Sequence, residues 1–262
     1  PEGGLRSMTK RIVIISDTQI PYDDRRAMKA VIQFIGDTQP DEVIHIGDLM
    51  DYPAPSRWTK GTAEEFAARI RPDSEEAIKR LLQPLRAVYD GPVGVHEGNH
   101  DSRPRDYLAK YAPALIEYTD QFRFESLLDF DGHGVDVLPE FYKVAPGWVS
   151  THGHRGGVRL SQKSGDSAYN AMIRFDTSVV IGHTHRQGIK PHTRGYGSNQ
   201  KPLWSMEVGN LMNMKLAHYL KGATANWQTG FGMITVDGKY VKPELVPIMS
   251  GRFSVDGWMW EV

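Results

Sequence analysis

Eleven residues with metal-binding or acid–base side chains fall in five short clusters, each where a hydrophobic run gives out. Asp17-Thr18-Gln19 follows RIVIIS, and Gly47-Asp48-Leu49-Met50-Asp51 follows EVIHI. Gly98-Asn99-His100-Asp101 follows GPVGVHE, His152-Gly153-His154 follows GWVST, and Gly182-His183-Thr184-His185 follows SVVI. Carboxylate, imidazole and amide donors suit Mn²⁺, Fe, Zn²⁺ or Ni²⁺. Two such ions about 3.5–4 Å apart share a bridging carboxylate and activate a water between them. Asp48 is the natural bridging candidate. An Asp at a strand end is more often a turn or helix-cap residue, but five clusters in series outweigh that reading.

The elements that must position these side chains follow from periodicity. Arg11 to Ser16 is a β-branched run, and Ala27, Val31 and Ile35, with Ile32 and Phe34, recur at helical spacing behind Asp23 and Asp24. Gln39-Pro40-Asp41 closes that helix and EVIHI is the next strand, a β-α-β unit that implies parallel strands and a right-handed crossover. Residues 62–89 read as one or two helices split around Arg71-Pro72, and Tyr107 to Tyr111 as a short helix. FYKVAPGWVS, SVVIGH and PLWSMEVGN have strand character, and GFGMITVDGKYVKPELVPI reads as a hairpin with Asp237-Gly238 at its tip. In open α/β sheets, ligands bind beyond the carboxyl ends of the strands, so the five clusters converge there despite their separation in sequence. The expectation is one α/β domain over residues 8–262, two packed sheets with flanking helices. PEGGLRS ahead of Met8 reads as a cloning remnant.

Bulk properties exclude several classes. Net charge is −1, so no global basic field points to nucleic acid. The absence of cysteine removes disulfides and thiolate zinc sites. No apolar run reaches the roughly 20 residues of a membrane span, and no signal-peptide core is present. The expected protein is cytoplasmic and makes no membrane contact, with its oligomeric state left open. Trp258-Met259-Trp260 would cover the core or join two subunits.

In order and spacing, the clusters resemble the blocks of the calcineurin-like metallophosphoesterase family, which run D-x-H, G-D-x-x-D, G-N-H-[DE], a lone H, and G-H-x-H. They span residues 17 to 185, and the early stretch around IPYDDRRA looks most like small bacterial and phage members. The resemblance implies a four-layer α/β/β/α sandwich of two mixed β-sheets flanked by helices. It implies two divalent metal ions, Mn²⁺ foremost, with Fe, Zn²⁺, Ni²⁺ or Mg²⁺ as alternatives. Asp17 and His185, joined by Gln19, would bind the first ion, Asp48 would bridge, and Asn99, His152 and His183 would bind the second. His100, oriented by Asp51, would donate a proton to the leaving oxygen while a metal-bridging hydroxide attacks phosphorus. Asp101 would fix the loop. His154, Arg103, Arg155 and Arg186 adjoin these blocks as candidate substrate contacts. His45, His96, His133, His192 and His218 match no block and read as core or surface histidines.

Gln19 is the one departure, standing where the family has His. A neutral amide oxygen ligates more weakly than imidazole, so the first site is expected to be looser and to favour a hard ion. The resulting expectation is a metal-dependent phosphodiesterase for small nucleotide-type diesters, 2′,3′- or 3′,5′-cyclic nucleotides. YPAPSRW after G-D-x-x-D, in place of the R-G of protein phosphatases, supports the diester. A nuclease tracking a phosphate backbone along Arg186, Lys190, Arg194 and Lys201 is the first alternative. A catalytically weak interaction scaffold is the second. Tyr22, Tyr52 and Trp58 are candidates for stacking on a base or for plugging the core.

Overall fold

Side-chain alternation along β1 (Lys10–Ile15) divides the interior. Ile12 and Ile14 face one hydrophobic core, Val13 and Ile15 another. The computed structural model describes residues 9–216 and 225–262. The segment ahead of Met8 and His218 lie outside the described residues.

The chain then runs through α1 (Arg25–Thr38), β2 (Glu42–His45), α2 (Ile70–Ala77), α3 (Gln83–Val88), β3 (Val93–Val95) and α4 (Arg103–Tyr111). Two single-turn helices, α5 (Phe124–Leu127) and α6 (Phe130–His133), precede β4 (Val135–Val137), β5 (Tyr142–Ala145) and β6 (Trp148–Thr151). After α7 (Asp166–Phe175) come β7 (Ser178–Ile181), β8 (Gln187–Arg194) and β9 (Lys201–Val208). The chain ends in two hairpins, β10 (Gly230–Asp237) with β11 (Tyr240–Pro247), and β12 (Arg252–Val255) with β13 (Trp258–Glu261).

One sheet has the order β11-β10-β1-β2-β3-β4, with β1 to β4 parallel and β10 antiparallel to β1. The other has the order β5-β6-β7-β9-β8, with β6, β7 and β9 parallel. Ile12, Ile14, Ile44, Ile46, Val180 and Met206 form the core between the sheets. Val13, Val31, Phe34, Leu81, Leu85 and Phe231 pack α1 to α3 on the outside of the first sheet, and Ala171, Met172, Val179 and Leu203 pack α7 on the second. Three cores between four layers make the α/β/β/α sandwich.

Helix α1 starts where Asp24 accepts from the Arg26 and Ala27 amides, and stops where Gln39 turns left-handed at φ 43°. Its buried face includes Ala27, Val31, Ile32, Phe34 and Ile35, the residues marked out by periodicity. The expected break at Arg71-Pro72 is corrected. Pro72 lies in the first turn of α2, where a missing amide hydrogen costs nothing, and residues 53–69 ahead of it are turns. The segment continues through a π-type turn, Ile78–Leu82, into α3. The basic 186–201 stretch contains strand β8. The final hairpin closes the outer core, with Trp260 stacked on Phe253 at 5.6 Å and edge-on to Phe34 at 5.0 Å, while Trp258 remains 74% exposed. Among the described residues no helix is long and apolar enough to cross a membrane.

Candidate metal centre

The five clusters meet at the seam between the two sheets. Asp17, Asp48 and Asn99 come from loops after β1, β2 and β3, and His152, His183 and His185 from loops after β6 and β7. Backbone pairing locks the loops together. The Asp17 amide donates to the Gly47 carbonyl at 3.1 Å, the Gln19 amide to Asp48 at 3.0 Å, and the Asp51 amide to Ile20 at 2.9 Å. Asp17, Gln19, Asp48, His183 and His185 all hold left-handed φ, between 45° and 65°. Such strain persists only where its surroundings impose it. Two motif glycines are required by contact. A Cβ on Gly98 would stand 2.2 Å from the Asp48 amide nitrogen, and one on Gly182 2.2 Å from Ser16 Oγ.

Asp17, Gln19 and His185 form one group, all buried. His185 Nε2 lies 3.2 Å from Asp17 Oδ1 and 3.1 Å from Gln19 Nε2, so the Gln19 side chain faces the cluster. Asp17 Oδ2 accepts from Ser16 Oγ and from the His183 amide, which aims the carboxylate. Burial would raise the Asp17 carboxyl, but His185 and His152 outweigh it and hold the group below its usual range. Asp17 Oδ1, Gln19 Oε1 and His185 Nδ1 are buried without hydrogen-bond partners.

Asp48, Asn99, His152 and His183 form the second group, in which ligand atoms of Asp48, His152 and His183 lie within 4.8 Å of one another. His152 Nδ1 donates to the Ile46 carbonyl at 2.9 Å, leaving Nε2 as the free lone pair. That nitrogen faces Asn99 Oδ1 at 3.3 Å and Asp48 Oδ2 at 3.4 Å. Acceptors turned toward one another in a buried site are unfavourable without a cation among them. Burial opposes charge on His152, yet Asp48 and Asp17 push it up to about 9, the direction a site built to hold positive charge imposes. Burial, helped by His152, lowers His183 to about 4, and its Nδ1 is another partnerless buried atom. Burial works against the Asp48 carboxylate too, but His100 and His152 hold it well below its usual range. Converging acceptors, orphaned atoms and neutral imidazoles fit divalent metal ions.

Beside this group, His100 Nδ1 lies 2.7 Å from Asp51 Oδ1, and Arg103 Nη2 approaches His100 Nε2 at 3.1 Å. Burial lowers the His100 imidazole, but Asp48 and Asp51 outweigh it and the net shift is upward. Asp101 accepts from the Met50 and Gly98 amides, each at 2.8 Å, and so ties the second and third loops together.

The outer candidates divide. His154 borders the histidine cluster, 5.2 Å between ring centroids from His152, and burial lowers it to about 3. The Arg155 guanidinium is engaged by Glu140 at 3.3 Å and Glu97 at 3.7 Å. Arg186 is buried, donating to the Thr184 carbonyl and to Gln162. Of the three arginines, Arg103 is the one that contacts His100. Tyr52 plugs the core, its hydroxyl 2.8 Å from Ser74 Oγ, whereas Trp58 is 72% exposed. His45 and His96 are buried core residues, paired with Thr18 and Ser150.

Two residues near the site lie outside the five clusters. Trp227 lies against His185 at 4.3 Å between centroids, and Glu207 is fully buried, accepting from Thr184 Oγ1 and the Ala168 amide. Neither belongs to a motif. A Glu next to the last residue of the strand-like PLWSMEV run was the available hint for Glu207. A cleft of about 450 Å³ opens from Asn99 and His100 and runs between Trp58 and α4.

Residues 10–187 match the family model described as calcineurin-like phosphoesterase. The Gene 54 protein of Mycobacterium phage D29 is 80% identical over 255 residues, 97% of this chain and 100% of that protein. The Gene 54 protein of Mycobacterium phage L5 is 78% identical over the same shares. Among solved structures, Vps29 from Chaetomium thermophilum is similar with a TM-score of 0.48 and 10% identity, covering 96% of this chain and 98% of that one.

Proposed function

Because the chain belongs to the calcineurin-like phosphoesterase family, we propose that it is a metal-dependent phosphodiesterase acting on small nucleotide-type diesters, cyclic nucleotides included. The observation that carries this reading is the pair of buried acceptor groups, with their orphaned ligand atoms, set beside the His100–Asp51 pair. Asp17, Gln19 and His185 would hold one ion, Asn99, His152 and His183 the other, with Asp48 between them. Bound there, the ions supply Lewis-acid charge and an activated water. Mn²⁺ suits a site that mixes Asp and amide oxygens with imidazole nitrogen.

The chain's own groups do the rest. Asp51 accepts from His100 Nδ1 and fixes the ring, so that Nε2 faces the cleft side as the proton donor for the leaving oxygen. Arg103 Nη2, 3.1 Å away, donates to Nε2 only while that nitrogen lacks its proton. A phosphate oxygen that draws Arg103 away frees Nε2 to carry one, and the guanidinium then neutralises charge developing on the phosphoryl group.

A backbone-tracking nuclease has less support. Lys190 is paired with Asp166 and Arg194 with Asp176, while Arg186 is buried, so most of the proposed basic stripe is already occupied. Turnover of bis-p-nitrophenyl phosphate against p-nitrophenyl phosphate with Mn²⁺ tests the proposal, and the diester is expected to be the better substrate. Protein that loads metal but shows no metal-stimulated turnover would establish the scaffold reading instead.

A further inference from the structure

We propose that the cleft between Trp58 and α4 is a leaving-group subsite for a nucleotide, making linear dinucleotides better substrates than cyclic nucleotides. This rests on the phosphodiesterase reading and narrows it. The cleft begins at Asn99 and His100, the side on which the leaving oxygen would be protonated. At about 450 Å³ it has the size of a small-molecule site, for which about 300–1,000 Å³ is usual. A cyclic nucleotide keeps its leaving oxygen within the same sugar, so it would leave this space unfilled. A linear diester sends a second nucleoside into it.

The lining has the chemistry of a nucleotide. Trp58, at 72% exposed, presents a large ring to solvent beside the site, with the Arg57 guanidinium 4.5 Å from its centroid. Exposed aromatic rings next to cations stack bases whatever their sequence. On the other wall Tyr107 and Tyr111 pack at 4.8 Å, with Lys60 Nζ 3.1 Å above Tyr111. Arg57, Arg103 and Lys110 line the cleft against one carboxylate, Asp106, which is already engaged by Ser102 and Arg105. Among the described residues, the ion pairs of this region are Lys60–Glu65, Arg103–Asp51, Arg105–Glu97 and Arg105–Asp106. They leave the charges of Arg57, which lies over Trp58, and of Lys110, 5.2 Å from the Tyr111 ring centroid, for a ligand phosphate. Trp58 therefore takes the base, and Arg57 with Lys110 takes a phosphate on the leaving nucleoside.

The test uses the Mn²⁺-loaded protein, with a phosphorylated dinucleotide and 3′,5′-cyclic AMP as substrates. Wild type should favour the dinucleotide, and Trp58→Ala should lower the dinucleotide-to-cyclic ratio of kcat/KM about tenfold or more. Trp58→Phe, which keeps a ring, should restore most of that ratio. A wild type that favours the cyclic substrate, or an unchanged ratio in Trp58→Ala, overturns the subsite. AMP binding to metal-free protein by calorimetry separates this from failure of catalysis. Weaker AMP binding by Trp58→Ala and by Arg57→Ala supports the subsite even without turnover, and identical binding in all three proteins overturns it. Absence of diester turnover alone counts against the phosphodiesterase reading.

Discussion

Gln19 holds its side chain against His185, with Oε1 buried and unpartnered. A neutral amide donates less charge to a cation than imidazole does, so Gln19→His should tighten the Asp17 side of the centre. Calorimetric titration with Mn²⁺ should then resolve a second ion at lower concentration than in wild type, and two equally tight ions in both proteins would refute the assignment. His100 offers a cleaner separation of roles, because its ring contacts Asp51 and Arg103 on the cleft side of the ligands. His100→Ala should lower kcat about 10²- to 10⁴-fold, while metal content measured by atomic emission stays at the wild-type ratio. Most of these residues were legible in the sequence because short motifs at strand ends carry their own geometry. Arg155 and Arg186 were not, because a guanidinium's partner is chosen by tertiary neighbours, here Glu97, Glu140 and Gln162. Trp227 reaches His185 from a loop with no periodic pattern to announce it.

At the level of elements, the loops are held by one another. Gly98 permits the third loop to lie on the backbone of Asp48, and Asp101 bridges the same pair. Gly98→Ala should therefore push the two loops apart, lower the thermal midpoint and reduce bound metal together. Full metal content in a folded Gly98→Ala protein would show that the close approach is not needed. The strands and α1 could be read from apolar spacing, since burial on one face leaves a period of two or of 3.6. Residues 53–69 could not, because turns there are set by contacts such as Thr59 Oγ1 with the Pro53, Ala54 and Ser56 carbonyls. Pro72 misled for a related reason, as a proline marks a helix start as readily as a helix break.

Across the whole molecule, the centre draws ligands from both sheets, with Asp17, Asp48 and Asn99 on one side of the seam and His152, His183 and His185 on the other. An ion bound there ties the sheets together in the native state alone. At a hundredfold excess over Kd, such binding contributes about 2.7 kcal/mol, or about 5–10 °C in Tm for a chain of this size. Chelation should lower Tm by that amount in calorimetry, and Mn²⁺ should restore it; an unchanged Tm would mean that the seam holds equally well without metal. The left-handed backbone at Asp17, Gln19, Asp48, His183 and His185 has a consequence for the donor set. Since hydrogen bonds between loops impose those conformations, the frame does not depend on which donor occupies a given position. On such a frame one donor can replace another without rebuilding the fold, and Gln19, standing where the resembled D-x-H block has His, is the position at which the Gln19→His protein tests it.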